Sequence, residues 1–433
     1  MSASRRARTR LRWLVLGRSR RRGASKRYGR PVASAAIVWD ADLLGYDMGA
    51  SHPLTPLRLD LTMRLARESG VLDEVSLVRP TPVDETLLAG IHDHAYLAAV
   101  RAASEPDAEV RPELIARFGL GTVDNPIFPG MHQASALIAG GSVAGAREII
   151  EGRADRAVHI AGGLHHAMAG RAAGFCVYND CVAAITWLLE QGLERVAYLD
   201  VDVHHGDGVQ AAFHDDPRVL TVSVHQHPTT LWPGTGSPDE VGGPGAEGRT
   251  VNLALPPGTD DAGWQRAFHA VVPSVLAAFE PQLLVTQCGV DTHREDPLAD
   301  LALTVDGHRA IYRTLRDLAR AHAGGRWLAL GGGGYSPYRV VPRSWTHLLA
   351  VVLDRDLRPE TATPAGWQAH VAELAPDVPV PATMSDDLRG DGDGAGSFPA
   401  WDGGVSHPVD RAVSAVRRAV FPLYGLDPHD RRD

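Results

Sequence analysis

The sequence predicts an α/β fold, a three-layer α/β/α arrangement around a mainly parallel central sheet, on two observations. Short β-branched runs alternate with longer amphipathic stretches over most of the chain. Several of those runs are continuously apolar, as expected of strands buried on both faces of a parallel sheet. In chain order the strands are expected at Ala35–Trp39, Arg156–Ile160, Arg195–Asp200, Val219–Val224, Leu283–Cys288 and Arg326–Leu330. Helices are expected between them at Cys181–Gln191, Trp264–Phe279 and Asp306–His322. With 433 residues, 44% of them hydrophobic, the chain can bury a large core, and it contains no internal repeat. Gly and Pro concentrate in Trp232–Gly248 and Asp386–Gly404, which read as loops. The stretch Ser385–Gly396 reads as a mobile linker before a final helix, Pro408–Val420. The organisation expected is therefore a basic, disordered extension at 1–33, a main domain at 34–384, and a Gly-rich linker with a C-terminal helix packing on that domain at 385–433.

Charge is distributed unevenly. Residues 1–33 carry twelve Arg or Lys and no acid, while the remainder carries 31 basic and 52 acidic residues, a net of −21. A body that acidic argues against general nucleic-acid binding and attracts cationic ligands. Any contact with nucleic acid would fall to the leader, centred on Arg20, Arg21 and Arg22. The leader's one apolar stretch, Leu11 to Gly17, is interrupted by Arg12 and too short for a signal core. No segment approaches the ~18 apolar residues of a membrane span, so no membrane association and a cytoplasmic location are expected. The three cysteines, Cys176, Cys181 and Cys288, form no CxxC pair and read as reduced, buried thiols.

Polar residues gather where the expected strands end, the edge at which parallel sheets bind ligands. Arg156–Ile160 runs into Gly162-Gly163-Leu164-His165-His166. Arg195–Leu199 runs into Asp200-Val201-Asp202-Val203-His204-His205-Gly206-Asp207-Gly208. Leu283–Cys288 leads to Asp291, and Trp327–Leu330 leads through four glycines to Tyr335. In extended chain Asp200, Asp202 and His204 share one face. A carboxylate and an imidazole at that spacing can chelate a divalent ion, with Asp291 as a third ligand. Two oxygens and one nitrogen leave positions open, which marks a catalytic site and suits zinc or ferrous iron. A lone Asp-x-His more often caps a helix or pairs with Arg; its setting in this longer polar run points to the ion. Adjacent His165 and His166 have Asp200 and Asp207 available as orienting carboxylates, and an imidazole held that way can shuttle a proton. The glycines before Tyr335 fit neither phosphate-loop spacing. They read as a flexible turn that lets a phenol approach the ion and stabilise an oxyanion.

These segments, together with Gly174-Phe175-Cys176 and Pro233-Gly234-Thr235-Gly236, resemble the zinc-dependent histone deacetylase family from about Ala35 to Leu353. The tail at Thr363-Pro364-Ala365-Gly366-Trp367 is similar to bacterial members. The resemblance implies the arginase/deacetylase fold and a Zn2+-dependent, acetate-releasing protein-lysine deacetylase, with Asp202, His204 and Asp291 as ligands. It also implies Tyr335 as oxyanion donor and His166 as general base and acid, with His165 as electrostatic helper. Asp200 and Asp207 would orient His165 and His166 respectively. Gly174, Phe175 and Trp232 would line a lysine tunnel, and Asp124 would hold substrate backbone amides at its rim. A K+ ion would sit at Asp200, Ser223 and backbone carbonyls that include Val224. The implied partner is an acetylated protein, such as an acyl-CoA synthetase. Two departures concern the substrate: Leu164 stands where many eukaryotic members carry Trp, and His293-Arg294-Glu295 is more charged than its counterpart.

Rival readings are an acetylpolyamine amidohydrolase, which the acidic body would suit, and an arginase-type ureohydrolase. The ureohydrolase would need two manganese ions and more clustered carboxylates. A non-catalytic acetyl-lysine-binding module belongs to a different class, and the complete set of ligands, base and phenol argues against it.

Overall fold

The computed structural model describes residues 34–386 and 398–432. Its strands are β1 (Ala35–Val38), β2 (Leu77–Val78), β3 (Arg156–His159), β4 (Val196–Asp200), β5 (Val219–Gln226), β6 (Thr250–Leu255), β7 (Leu283–Gln287) and β8 (Trp327–Leu330). They form one eight-stranded sheet in the order β2-β1-β3-β8-β7-β4-β5-β6, with every pairing parallel. Along β4, Ala197 and Leu199 belong to one apolar cluster, whereas Val196 and Tyr198 belong to another. Successive side chains point to opposite faces of a strand, so apolar material covers both faces, and the three-layer α/β/α expectation holds.

Helices supply the outer layers. Val305–His322 buries Val305, His308, Ile311, Tyr312, Leu315, Leu318 and Ala319. This i, i+3, i+4, i+7 stripe leaves its arginines on the other side. The helix packs beside Val341–Val352, all of whose residues are buried. Among the described residues, no helix is long and apolar enough to cross a membrane.

Several local expectations are corrected. The sequence reading missed β2, only two residues long, and β6, whose apolar run Asn252 interrupts; that side chain donates to Gln210 at 2.9 Å. The single helix expected at Trp264–Phe279 is two, Asp261–His269 and Val272–Phe279. Pro273 has no N–H to bond the His269 carbonyl, so the first helix cannot run through it. The leader and most of the expected linker lie outside the described residues. At the linker's start, Ser385 and Asp386 are tied to the domain: the Ser385 hydroxyl and the Asp386 amide donate to Asp306 Oδ2 at 2.8 and 3.0 Å. The last helix, Asp410–Val420, packs on β6 and on Asp261–His269, where Arg266 Nε meets Asp410 Oδ1 at 2.7 Å.

Candidate active site

The chemistry-bearing segments leave four neighbouring strands at the middle of the sheet, β3, β8, β7 and β4. From β3 come His165 and His166, from β8 Tyr335, from β7 Asp291, and from the end of β4 Asp200, Asp202 and His204. Donor atoms of Asp202, His204 and Asp291, all buried, lie within 4.8 Å of one another. His204 Nδ1 is 3.1 Å from both Asp202 Oδ1 and Asp291 Oδ2.

Burial alone would disfavour a charged His204, but hydrogen bonds to Asp202 and Asp291 and their charge raise its pKa to about 10. The potential between the carboxylates therefore favours a cation strongly, and the donor set fits a divalent ion. The carboxylates are aimed by their neighbours. Asp202 Oδ2 accepts from Gln287 Nε2 at 2.7 Å and from the Gly333 amide at 2.8 Å. Asp291 Oδ1 accepts from the Val203 amide at 2.9 Å. Gly333 must be glycine, because a Cβ there would overlap the Asp291 carboxylate.

The two histidine rings are tilted at 49° to each other with centroids 3.9 Å apart, and each is bound to its own acid at 2.7 Å: His165 Nδ1 to Asp200 Oδ2, and His166 Nδ1 to Asp207 Oδ1. Burial pushes both imidazoles toward neutrality. The charges of Asp200 and Asp202 override it at His165, whose pKa rises to about 9. At His166 the charged His165 adds to burial, Asp207 compensates only partly, and the pKa falls to about 4. The opposite shifts favour the proton on His165 and leave His166 as the more readily neutral base.

Tyr335 is presented by its backbone: its amide donates to Asp296 Oδ2 at 2.8 Å, while Arg58 Nη1 donates to the carbonyls of Gly332 and Gly334 at 3.1 and 3.0 Å. Burial and the nearby Asp291 and Asp202 charges hold the phenol pKa well above its ordinary value, so it remains a donor. Its ring meets Phe175 edge-on at 5.6 Å, and Trp232 packs edge-on against His166 at 4.6 Å. Gly174 lies between the latter two: a Cβ would come within 2.5 Å of His166 and 2.7 Å of Trp232. Gly174, Phe175 and Trp232 thus lie beside the histidines and the phenol, and Trp232 remains 48% exposed. Asp124 is exposed, and its carbonyl meets His52 Nε2 at 3.2 Å; that ring packs on Phe175 at 4.6 Å. Asp200 and Ser223 are register partners on β4 and β5, with Val224 next along β5.

The sequence reading missed the residues that hold this set in place. Tyr198 donates to Asp200 Oδ2 at 2.6 Å, and Asp180 accepts from the amides of Gly163 and Leu164 at 2.9 and 2.7 Å. Gln287, Arg58 and Asp296 were missed as well. Gln287, a polar residue at the end of a largely apolar strand, carried a readable signal. Arg58 and Asp296 lie far in sequence from the groups they support and carried none.

A profile of the histone deacetylase domain matches residues 52–352. The chain belongs to the histone deacetylase family. Among curated relatives of this family, it is 37% identical to the acetoin utilization protein AcuC of Bacillus subtilis over 355 residues, 82% of this chain and 90% of that one. It is 34% identical to AcuC of Staphylococcus xylosus over 354 residues, 82% and 91% of the two chains. Among solved structures, a histone deacetylase homologue from Aquifex aeolicus superposes with a TM-score of 0.76 at 27% identity, covering 89% of this chain and 100% of that one. A homologue complexed with SAHA gives a TM-score of 0.77 at 27% identity, with the same coverage. The protein is therefore a hydrolase of the histone deacetylase family with the arginase/deacetylase fold. Homologues in this family use a metal ion, and the Asp202–His204–Asp291 group is the matching candidate site here.

Proposed function

We propose that the protein hydrolyses the acetyl amide of acetylated lysine side chains in proteins, releasing acetate. The observation that carries this is the convergence on one sheet edge of a three-ligand group, a neutral His166 held by Asp207, and the Tyr335 phenol. A divalent ion, zinc or ferrous iron, held by Asp202, His204 and Asp291 would polarise the amide carbonyl and ease deprotonation of a water. His166 takes the proton of the attacking water and returns it to the departing lysine amine. Asp207 fixes the tautomer and ring plane that this transfer needs. Tyr335 donates to the carbonyl oxygen as it gains charge, and the charged His165 adds a favourable field. Gly174, Phe175 and Trp232 enclose the lysine methylenes and exclude water, while Asp124 at the rim accepts substrate backbone amides. In the same reading K+ binds at Asp200, Ser223 and the Val224 carbonyl and steadies the end of β4. The setting is cytoplasmic, and the target is an acetylated metabolic enzyme such as an acyl-CoA synthetase.

The test of substrate class is acetate release from an acetyl-lysine peptide and from N-acetylputrescine, side by side. Turnover favouring the peptide is expected. Turnover of the polyamine alone would make the protein a polyamine amidohydrolase, and binding without turnover of either would make it a recognition module.

A further inference from the structure

The loop after β7 carries two groups that matter: Asp291, and Asp296, whose carboxylate holds the Tyr335 amide. Between them His293 is fully buried, and the group it meets comes from the far end of the chain. His293 Nε2 lies 2.6 Å from Asp386 Oδ2. Asp386 also accepts from Arg343 Nη2 at 2.6 Å and from the Val305 amide at 2.9 Å. Arg343 Nη1 in turn donates to the Ser385 carbonyl at 2.9 Å. On the ring's other side, Nδ1 accepts from the Glu295 amide at 3.0 Å, so the Nε2 proton is the one given to Asp386. The His293 carbonyl accepts from the Asp296 amide at 2.9 Å. One hydrogen-bonded path therefore runs from Asp386 through His293 and Asp296 to Tyr335, and it passes two residues from Asp291.

We infer that Asp386 is a positioning residue for the active site, acting through His293 to fix the loop that bears Asp291 and Asp296. Residue 386 lies beyond the matched family domain, which ends at residue 352, so a C-terminal segment outside that domain completes the support of the site. A buried Arg–Asp–His group is a weak source of net stability, because desolvation offsets most of its attraction. Its directionality suits it to holding a loop in one register. Partners that orient a metal ligand typically change metal affinity or activity by about 10–100-fold when removed.

The inference rests on the deacetylase reading, so its test carries a readout independent of turnover. Asp386→Asn, His293→Ala and His293→Gln would be compared with the wild type in Zn2+ affinity of the metal-free protein, in kcat and KM on an acetyl-lysine peptide, and in melting temperature. Asp386→Asn and His293→Ala are expected to lose about tenfold or more in Zn2+ affinity and in kcat, with KM little changed. His293→Gln keeps a donor near the Nε2 position and is expected to restore most of the loss. Zn2+ affinity and kcat within twofold of wild type in His293→Ala, whatever its melting temperature, would overturn the inference, even if Asp386→Asn failed to fold. A wild type that binds Zn2+ but leaves the peptide intact would refute the deacetylase reading, and the affinity comparison would still decide the role of Asp386.

Discussion

Replacing His166 with Ala is expected to lower kcat on an acetyl-lysine peptide by roughly 10²–10⁴, the usual contribution of a positioned general acid–base. His166 is the ring the geometry leaves neutral: it is buried, it lies 3.9 Å from His165, and its pKa falls to about 4. A base must be unprotonated before it can accept, and the pKa of His165, raised against burial to about 9 by Asp200 and Asp202, favours the proton there rather than on His166. Because the imidazole bound to Asp207 is that of His166, while His165 is bound to Asp200, the variant should not be rescued by His165. Steady-state kinetics check this. Activity within tenfold of wild type would move the proton transfer to another group, with His165 the first to examine.

Tyr335→Phe is expected to lower kcat by about 10²–10³, the cost of removing one oxyanion donor, with a smaller change in KM. The substitution deletes one oxygen and leaves the ring's contact with Phe175. The backbone that presents the ring is held independently of the phenol, by Asp296 on the Tyr335 amide and by Arg58 on the Gly332 and Gly334 carbonyls. The loss should therefore fall on the developing charge of the transition state. Equal losses in kcat and kcat/KM would carry that signature. A variant that raised KM alone would make Tyr335 a substrate-binding residue instead.

Much of this candidate site was legible in the sequence because each reactive group lies at, or a few residues beyond, the end of an apolar strand. The i, i+2 spacing of Asp200, Asp202 and His204 sets their common face locally, and the expected links of His165 to Asp200 and of His166 to Asp207 appear at 2.7 Å. The strand ends that meet in the middle of the sheet were also readable as apolar runs. What escaped was support that depends on tertiary approach. Arg58 reaches the glycine turn across more than 270 residues of chain, and Asp386 reaches His293 from a stretch whose Gly and Asp content reads as a linker. Local composition also misled at Trp264–Phe279, where the apolar period runs through Pro273 but the hydrogen-bond ladder cannot. At β6, Asn252 interrupts the apolar run, and the partner its side chain needs, Gln210, sits on another element.

The central claim, that Asp202, His204 and Asp291 form a metal centre on which acetyl-lysine hydrolysis depends, is tested most directly by one titration. Purified protein is stripped with a chelator, and Zn2+ is returned in sub-stoichiometric steps while acetate release from an acetyl-lysine peptide is followed. The parallel sample is Asp202→Asn. The expected result is loss of activity on stripping, recovery that saturates near one ion per chain, and an Asp202→Asn protein that neither retains the ion nor recovers. Peptide turnover that survives complete removal of metal, or that the variant shares, would contradict the account.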